Sequence, residues 1–164
     1  MIKITSFSVK DTLGLGRAIA REVKKGDIIC LTGELGSGKT ILTKGIVSGL
    51  GFKKEDVVSP TFVLIRQYEA NLSVYHFDLY RLKNADDIIK LGYEEYFYDQ
   101  GVSIVEWADK LEKLTPSEYL RIDLQIRKNG ARDFKFKPIG KRYKELLEKI
   151  KLTAGLRKLS RRSI

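Results

Sequence analysis

The chain has 164 residues, 43% hydrophobic and 32% charged, with a net charge of +10. That length suits one domain with a core of its own, the composition excludes a disordered chain, and no apolar run approaches the ~18 residues of a membrane span. Cys30 is the only cysteine, which excludes an internal disulfide, and Met1-Ile2-Lys3-Ile4-Thr5 lacks the basic stretch and apolar run of a secretory signal, so a cytoplasmic protein with no membrane association is expected.

Residues 2 to 7 read as a short strand. Ser8 is placed to cap a helix over 9 to 24, with Leu13, Ala18, Ile19 and Val23 near one face and Lys25-Gly26 as the stop. Asp27-Ile28-Ile29-Cys30-Leu31 is an apolar run of strand type, which predicts a buried Cys30. A glycine-rich loop follows, then a helix over 41 to 50 stopped by Gly51. Pro60 holds Ser59 extended. Residues 62 to 69 and 73 to 78 read as strands of an antiparallel hairpin. Alternation there puts Tyr75 and Phe77 on one face and His76 and Asp78 on the other. Asn84 can cap a helix to 91, a second helical piece covers 94 to 97, 102 to 106 is a short buried strand, and 108 to 114 is helical and ends before Pro116. Residues 119 to 128 and 133 to 137 flank Asn129-Gly130, a hairpin turn signal, and 141 to 152 is helical. This order is α/β with antiparallel pairs inserted, and it predicts three layers around a central mixed sheet.

The charge is uneven. Residues 141 to 164 hold nine Lys/Arg against two Glu, a net +7 that leaves +3 for the first 140. The chain therefore divides into a domain over 1–140 and a basic C-terminal helix and tail over 141–164. Such a tail can contact RNA or an acidic protein surface. The plainer reading is a solvated helix, because aromatic residues are absent beyond Tyr143.

The chemistry is concentrated in Gly33-Glu34-Leu35-Gly36-Ser37-Gly38-Lys39-Thr40, which fits the phosphate loop G-x-x-x-x-G-K-[ST]. Its glycines let backbone N–H groups face phosphate oxygens, and the helix behind it turns its positive end toward the same anion. The lysine can bridge the β- and γ-phosphates and the threonine hydroxyl can ligate Mg²⁺. Strand, loop and helix in this order predict a P-loop NTPase-like domain. A phosphate loop also needs an acid at a nearby strand end, and spacing leaves two candidates, Glu106 after Ser103-Ile104-Val105 and Asp78 after Val74 to Phe77. A lone His76 makes no zinc site, and Trp107 reads as a core residue.

The phosphate loop, Ser59-Pro60-Thr61-Phe62, Tyr75-His76-Phe77-Asp78-Leu79-Tyr80-Arg81-Leu82 and Val105-Glu106-Trp107 together resemble, in order and spacing, the TsaE (YjeE) family. These are small bacterial P-loop ATPases required for threonylcarbamoyladenosine modification of tRNA. The resemblance covers roughly residues 5 to 135, and its third and fourth strings together are far more specific than the phosphate loop. It implies that ATP sits on Glu34, Leu35, Gly36, Ser37, Gly38, Lys39, Thr40 and Ile41, with Lys39 on the phosphates and Thr40 on Mg²⁺. Glu106 is then the second Mg²⁺ anchor, and Asp78 acts beside the γ-phosphate or positions water. Ser59 and Thr61 belong to a switch-like loop, and the segment from Ser8 to Thr12 lines the nucleotide pocket. Gly130-Ala131-Arg132 matches a family glycine–arginine pair with one residue inserted, which assigns Arg132 to the nucleotide. The implied activity is slow hydrolysis of ATP in the service of TsaD and TsaB, at tRNA position 37. The basic tail is outside the shared motifs.

Two other readings fit a P-loop chain of this size. A small-molecule kinase needs an arginine-bearing lid, and residues 84 to 116 carry no arginine cluster. A GTP-type binding switch usually carries N-K-x-D and D-x-x-G; the first is absent, and Asp78 is followed by Leu79-Tyr80-Arg81.

Overall fold

Period-two alternation in the central strands sends side chains into two separate cores, and this sets the architecture. The structure, a computed structural model, describes residues 1–58, 60–69 and 71–154. Strand β1 is Ile2–Ser6, β2 Ile28–Thr32, β3 Ile65–Glu69, β4 Ser73–Asp78, β5 Val102–Glu106, β6 Tyr119–Ile126 and β7 Arg132–Ile139. They form one sheet in the order β1-β7-β6-β2-β5-β4-β3. The central strands β6, β2, β5 and β4 are mutually parallel; β3 pairs antiparallel with β4, and β7 with both β6 and β1.

Helices α1 (Val9–Ala20), α2 (Lys39–Gly49) and α5 (Lys141–Thr153) pack on one face. Ile29, Leu31, Val74, Ile104 and Ile122 meet Ile19, Leu42, Ile46 and Leu146 there. Helices α3 (Ala85–Ile89) and α4 (Tyr93–Phe97), with the 3₁₀ segment Ala108–Leu114, cover the other face. Their core joins Ile28, Cys30, Phe77 and Val105 to Ile88, Phe97 and Leu111. The three-layer α/β architecture with a mixed sheet and antiparallel hairpins is the one expected. Cys30 is buried as expected, and burial pushes its thiol up to about 12 against a small opposing effect of Arg121.

Several boundaries differ from the sequence reading. Helix α1 stops at Ala20 rather than 24, because the Asp27 carboxylate takes the Lys24 N–H at 2.7 Å and bends the chain into a turn. Strand β3 starts at Ile65 rather than 62. Residues 60 to 64 form a turn in which Val63 and Leu64 both donate to the Pro60 carbonyl, and Leu64 sits at φ 68°. Residues 108 to 114 are 3₁₀ and kinked at Glu112, and β7 extends past 137 to Ile139. Helix α5 begins just after Gly140 and buries Tyr143, Leu146, Leu147 and Ile150 in the α1–α2 core. The tail beyond residue 154 and Ser59 lie outside the described residues, and no helix among those described is long and apolar enough to cross a membrane.

Candidate nucleotide-binding site

The phosphate loop leaves β2 at its C-terminal end and runs straight into α2. Gly38 takes φ 107° at the N-cap of α2, a left-handed conformation that needs glycine. Gly33, at φ 141°, has a second reason: a Cβ there would stand 2.5 Å from the Leu124 carbonyl. The loop thus passes against β6 with no room for a side chain.

Lys39 is the first residue of α2 and is buried. Its ammonium donates to the Gly33 carbonyl at 2.7 Å and the Glu34 carbonyl at 2.9 Å. It also lies 4.0 Å from the centre of the Trp107 ring. Burial lowers its pKa, and the charges of Glu106, Asp78, Asp109 and Glu34 oppose that shift. Trp107, expected in the core, is half-buried; it packs against the α3–α4 core and also forms a wall of the site, at φ 59° directly after β5.

Strands β4 and β5 deliver the two acids. Asp78 and Glu106 end their strands as register partners, and both are buried. Glu106 Oε2 accepts from the Thr40 hydroxyl at 3.0 Å. Its Oε1 accepts from His76 Nε2 at 2.7 Å and stands 3.5 Å from Thr43 Oγ1. Asp78 Oδ2 accepts from the Thr61 hydroxyl at 2.5 Å, and Oδ1 accepts from the Tyr80 N–H at 3.0 Å. Both acids left open by spacing are therefore at the site, with different hydrogen-bond partners. Glu106 is tied to α2 through Thr40, and Asp78 is tied to the loop that carries Thr61.

A cleft of about 280 Å³ lies between these groups, lined by Leu35, Gly36, Gly38, Lys39, Thr40 and Ile41 from the loop and α2, and by Thr61, Asp78, Tyr80, Glu106, Trp107 and Arg132. Arg132 is thus at the site despite the inserted residue; its Cδ lies 3.1 Å from where a Cβ on Gly38 would stand. Glu34 and Ser37 belong to the loop but not to the cleft wall. Ser8 and Thr12 are also outside that wall. Ser8 caps α1 by accepting from Asp11 N at 3.1 Å, and the buried Thr12 hydroxyl pairs with that of Ser6 at 2.8 Å. A larger cleft of about 440 Å³ between β1, α1 and the end of α5 is lined by Asp11 from the Ser8–Thr12 segment but by no residue of the phosphate loop.

The donor set fits Mg²⁺. Two cis oxygens of an octahedral Mg²⁺, each about 2.05 Å from it, stand about 2.9 Å apart. Thr40 Oγ1 and Glu106 Oε2 stand 3.0 Å apart. Among the described residues no three His, Cys, Asp or Glu side chains gather to hold a metal unaided. Mg²⁺ needs only one or two protein oxygens when phosphates and water supply the rest.

A glycine loop between a parallel strand and a helix, with acids at the adjacent strand ends, defines a P-loop NTPase-like protein. The chain superposes on the crystal structure of Bacillus subtilis YdiB with a TM-score of 0.79 and 34% identity, covering 92% of this chain and 94% of that one. The family model "Threonylcarbamoyl adenosine biosynthesis protein TsaE" matches residues 6–134. The tRNA threonylcarbamoyladenosine biosynthesis protein TsaE of Bacillus subtilis is 38% identical over 150 residues, 91% of this chain and 93% of that protein. Its counterpart in Treponema pallidum is 34% identical over 132 residues, 80% of this chain and 97% of that protein. The chain belongs to the TsaE family, whose members take part in tRNA threonylcarbamoyladenosine biosynthesis.

Proposed function

We propose that this chain binds and hydrolyses ATP with Mg²⁺, as an accessory ATPase of tRNA N6-threonylcarbamoyladenosine formation at position 37, acting with TsaD and TsaB. The observation that carries the reading is the Thr40–Glu106 pair beside Lys39, two oxygens at cis-ligand spacing next to a phosphate-binding ammonium. Loop N–H groups and the start of α2 hold the phosphates, and Lys39 exchanges its loop carbonyls for phosphate oxygens. Bound at Thr40 and Glu106, Mg²⁺ supplies charge neutralisation on the phosphates. Asp78 orients a water at the γ-phosphate, whose bond to the β-phosphate oxygen breaks as the water oxygen adds. ADP and phosphate leave. Thr61 links Asp78 to the switch-like loop, so that loop is placed to report the γ-phosphate to a partner.

The test is phosphate release from ATP and from GTP, by wild type and Lys39→Ala, each with and without a purified TsaB–TsaD pair. ATP-selective release that rises with the pair and disappears in Lys39→Ala is expected. Release preferring GTP, or unchanged in Lys39→Ala, refutes the reading. Turnover of ATP only in the presence of a small-molecule acceptor would return the kinase alternative.

A further inference from the structure

We infer that His76 is a positioning residue for the cation, the group that holds the Glu106 carboxylate in its ligating orientation. This rests on the Mg²⁺ role proposed above for Thr40 and Glu106. His76 lies in the middle of β4 and is fully buried. Its Nε2 donates to Glu106 Oε1 at 2.7 Å, and its Nδ1 has no partner among the described residues. All of the ring's hydrogen bonding is therefore spent on Glu106, which also fixes the Nε2–H tautomer.

The two oxygens of Glu106 are thereby divided. Oε2 faces Thr40 and Oε1 faces His76. Thr43 is a poor substitute for His76, since its hydroxyl stands 3.5 Å from Oε1 and donates at 3.1 Å to the Lys39 carbonyl. With Thr40 Oγ1 and Glu106 Oε2 given over to a cation, Oε1 would be the carboxylate oxygen still open to a hydrogen bond. His76 is then the close donor left to keep the carboxylate from rotating. A strand residue suits this task, because β4 is locked on both sides, with His76 paired to Arg66 of β3 and to Ile104 of β5. Donors behind a metal-ligating carboxylate typically contribute 10–100-fold in metal affinity.

The experiment measures ADP affinity by calorimetry, first in EDTA and then across a Mg²⁺ titration, for wild type, His76→Phe, His76→Gln and Glu106→Gln. In His76→Phe, affinity in EDTA should match wild type, while the Mg²⁺ needed for half of the metal-dependent gain should rise roughly 10-fold. His76→Gln places an amide N–H near the position of Nε2 and should return the midpoint to within about 3-fold of wild type. If Phe disrupts the fold, His76→Asn replaces it, since its amide is too short to reach Oε1. A wild-type midpoint in the Phe or Asn variant, or no recovery with Gln, overturns the inference while a shifted Glu106→Gln midpoint leaves the parent reading standing. An unshifted Glu106→Gln midpoint overturns both.

Discussion

Helices α1 and α2 cross at close range, and the crossing yields two opposite outcomes from one kind of substitution. A Cβ built on Gly16 would stand 2.6 Å from Gly45 Cα and 2.6 Å from the Leu42 carbonyl oxygen. Both are backbone atoms of α2, so no rotamer change relieves the clash, and the helices must part by about 1 Å along a seam packed with Ile19, Leu42 and Ile46. Overpacking of this kind costs about 1–3 kcal/mol, the upper end applying when only backbone can move. Alanine returns about 1 kcal/mol through helix propensity, so Gly16→Ala should lose ~2 kcal/mol overall. Gly14 is the internal control. It is in the same helix two residues away, and a Cβ there meets nothing within 4 Å. Gly14→Ala should therefore gain about 0.5–1 kcal/mol. For a domain of this size, Tm should fall by roughly 4–8 °C in the first variant and rise by roughly 1–4 °C in the second. Urea unfolding followed by circular dichroism measures both. A Gly16→Ala protein as stable as wild type, or two variants that shift together, would refute the close-approach argument.

Two further outcomes test the framework around the site. Tyr143→Phe removes the hydroxyl that accepts the buried Ile28 N–H at 2.7 Å, so the start of β2 keeps an unpaired donor. Unfolding in urea should show a loss of about 1–3 kcal/mol, and an unchanged midpoint would mean that water replaces the tyrosine. Asp123 concerns acid stability. Burial raises its pKa, but hydrogen bonds from Lys137, Thr32 and Arg121 outweigh this and hold it at about 2 against an ordinary 3.8. Because the folded value is the lower one, its contribution is complete above pH 3.8 and is lost as pH falls from 3.8 toward 2. The full shift corresponds to at most ~2.5 kcal/mol, which solvent around this partly exposed side chain reduces to about 1 kcal/mol. Asp123→Asn should lose that amount at pH 7 and show a shallower fall in stability below pH 4. Parallel curves for the two proteins would remove Asp123 from the account of acid unfolding.

The layers and much of the site can be read in the sequence because both depend on local pattern. The alternation of Ile28-Ile29-Cys30-Leu31 gives a two-faced central strand, Asn129-Gly130 gives a hairpin, and the glycine loop follows the same strand. What cannot be read depends on distant partners. Phe62 and Val63 have the apolar character of a strand, yet both are exposed, because their segment turns back on the Pro60 carbonyl. Gly16 looks like a weak spot in a helix until Gly45, far along the chain, is seen against it. His76 is ambiguous alone; its role depends on Glu106, thirty residues away. Trp107 has the composition of a core residue, but its left-handed backbone turns it over Lys39. Arg132 comes to the loop because β7 pairs with β6, which runs beside β2.

The geometry of the site depends on strand register more than on any single contact. Lys39 and Thr40 ride on the loop and α2, whereas Asp78 and Glu106 ride on β4 and β5, and the sheet sets how the two sets face each other. Leu31 is opposite Glu106, and Glu106 is opposite Asp78, so the ends of β2, β5 and β4 line up beneath the loop. Side chains alternate with period two, so a slip of β5 by one residue would turn Glu106 toward α3 and α4, away from Thr40. That slip is opposed by the core on both faces. Ile104 is buried under the α1–α2 layer and Val105 under the α3–α4 layer, and exchanging them would misplace every large side chain of the strand. The Glu106 carboxylate is thus held by hydrophobic burial on the two sides of the strand that carries it. A fully buried five-residue strand holds the acid at its end in place because both of its faces are packed.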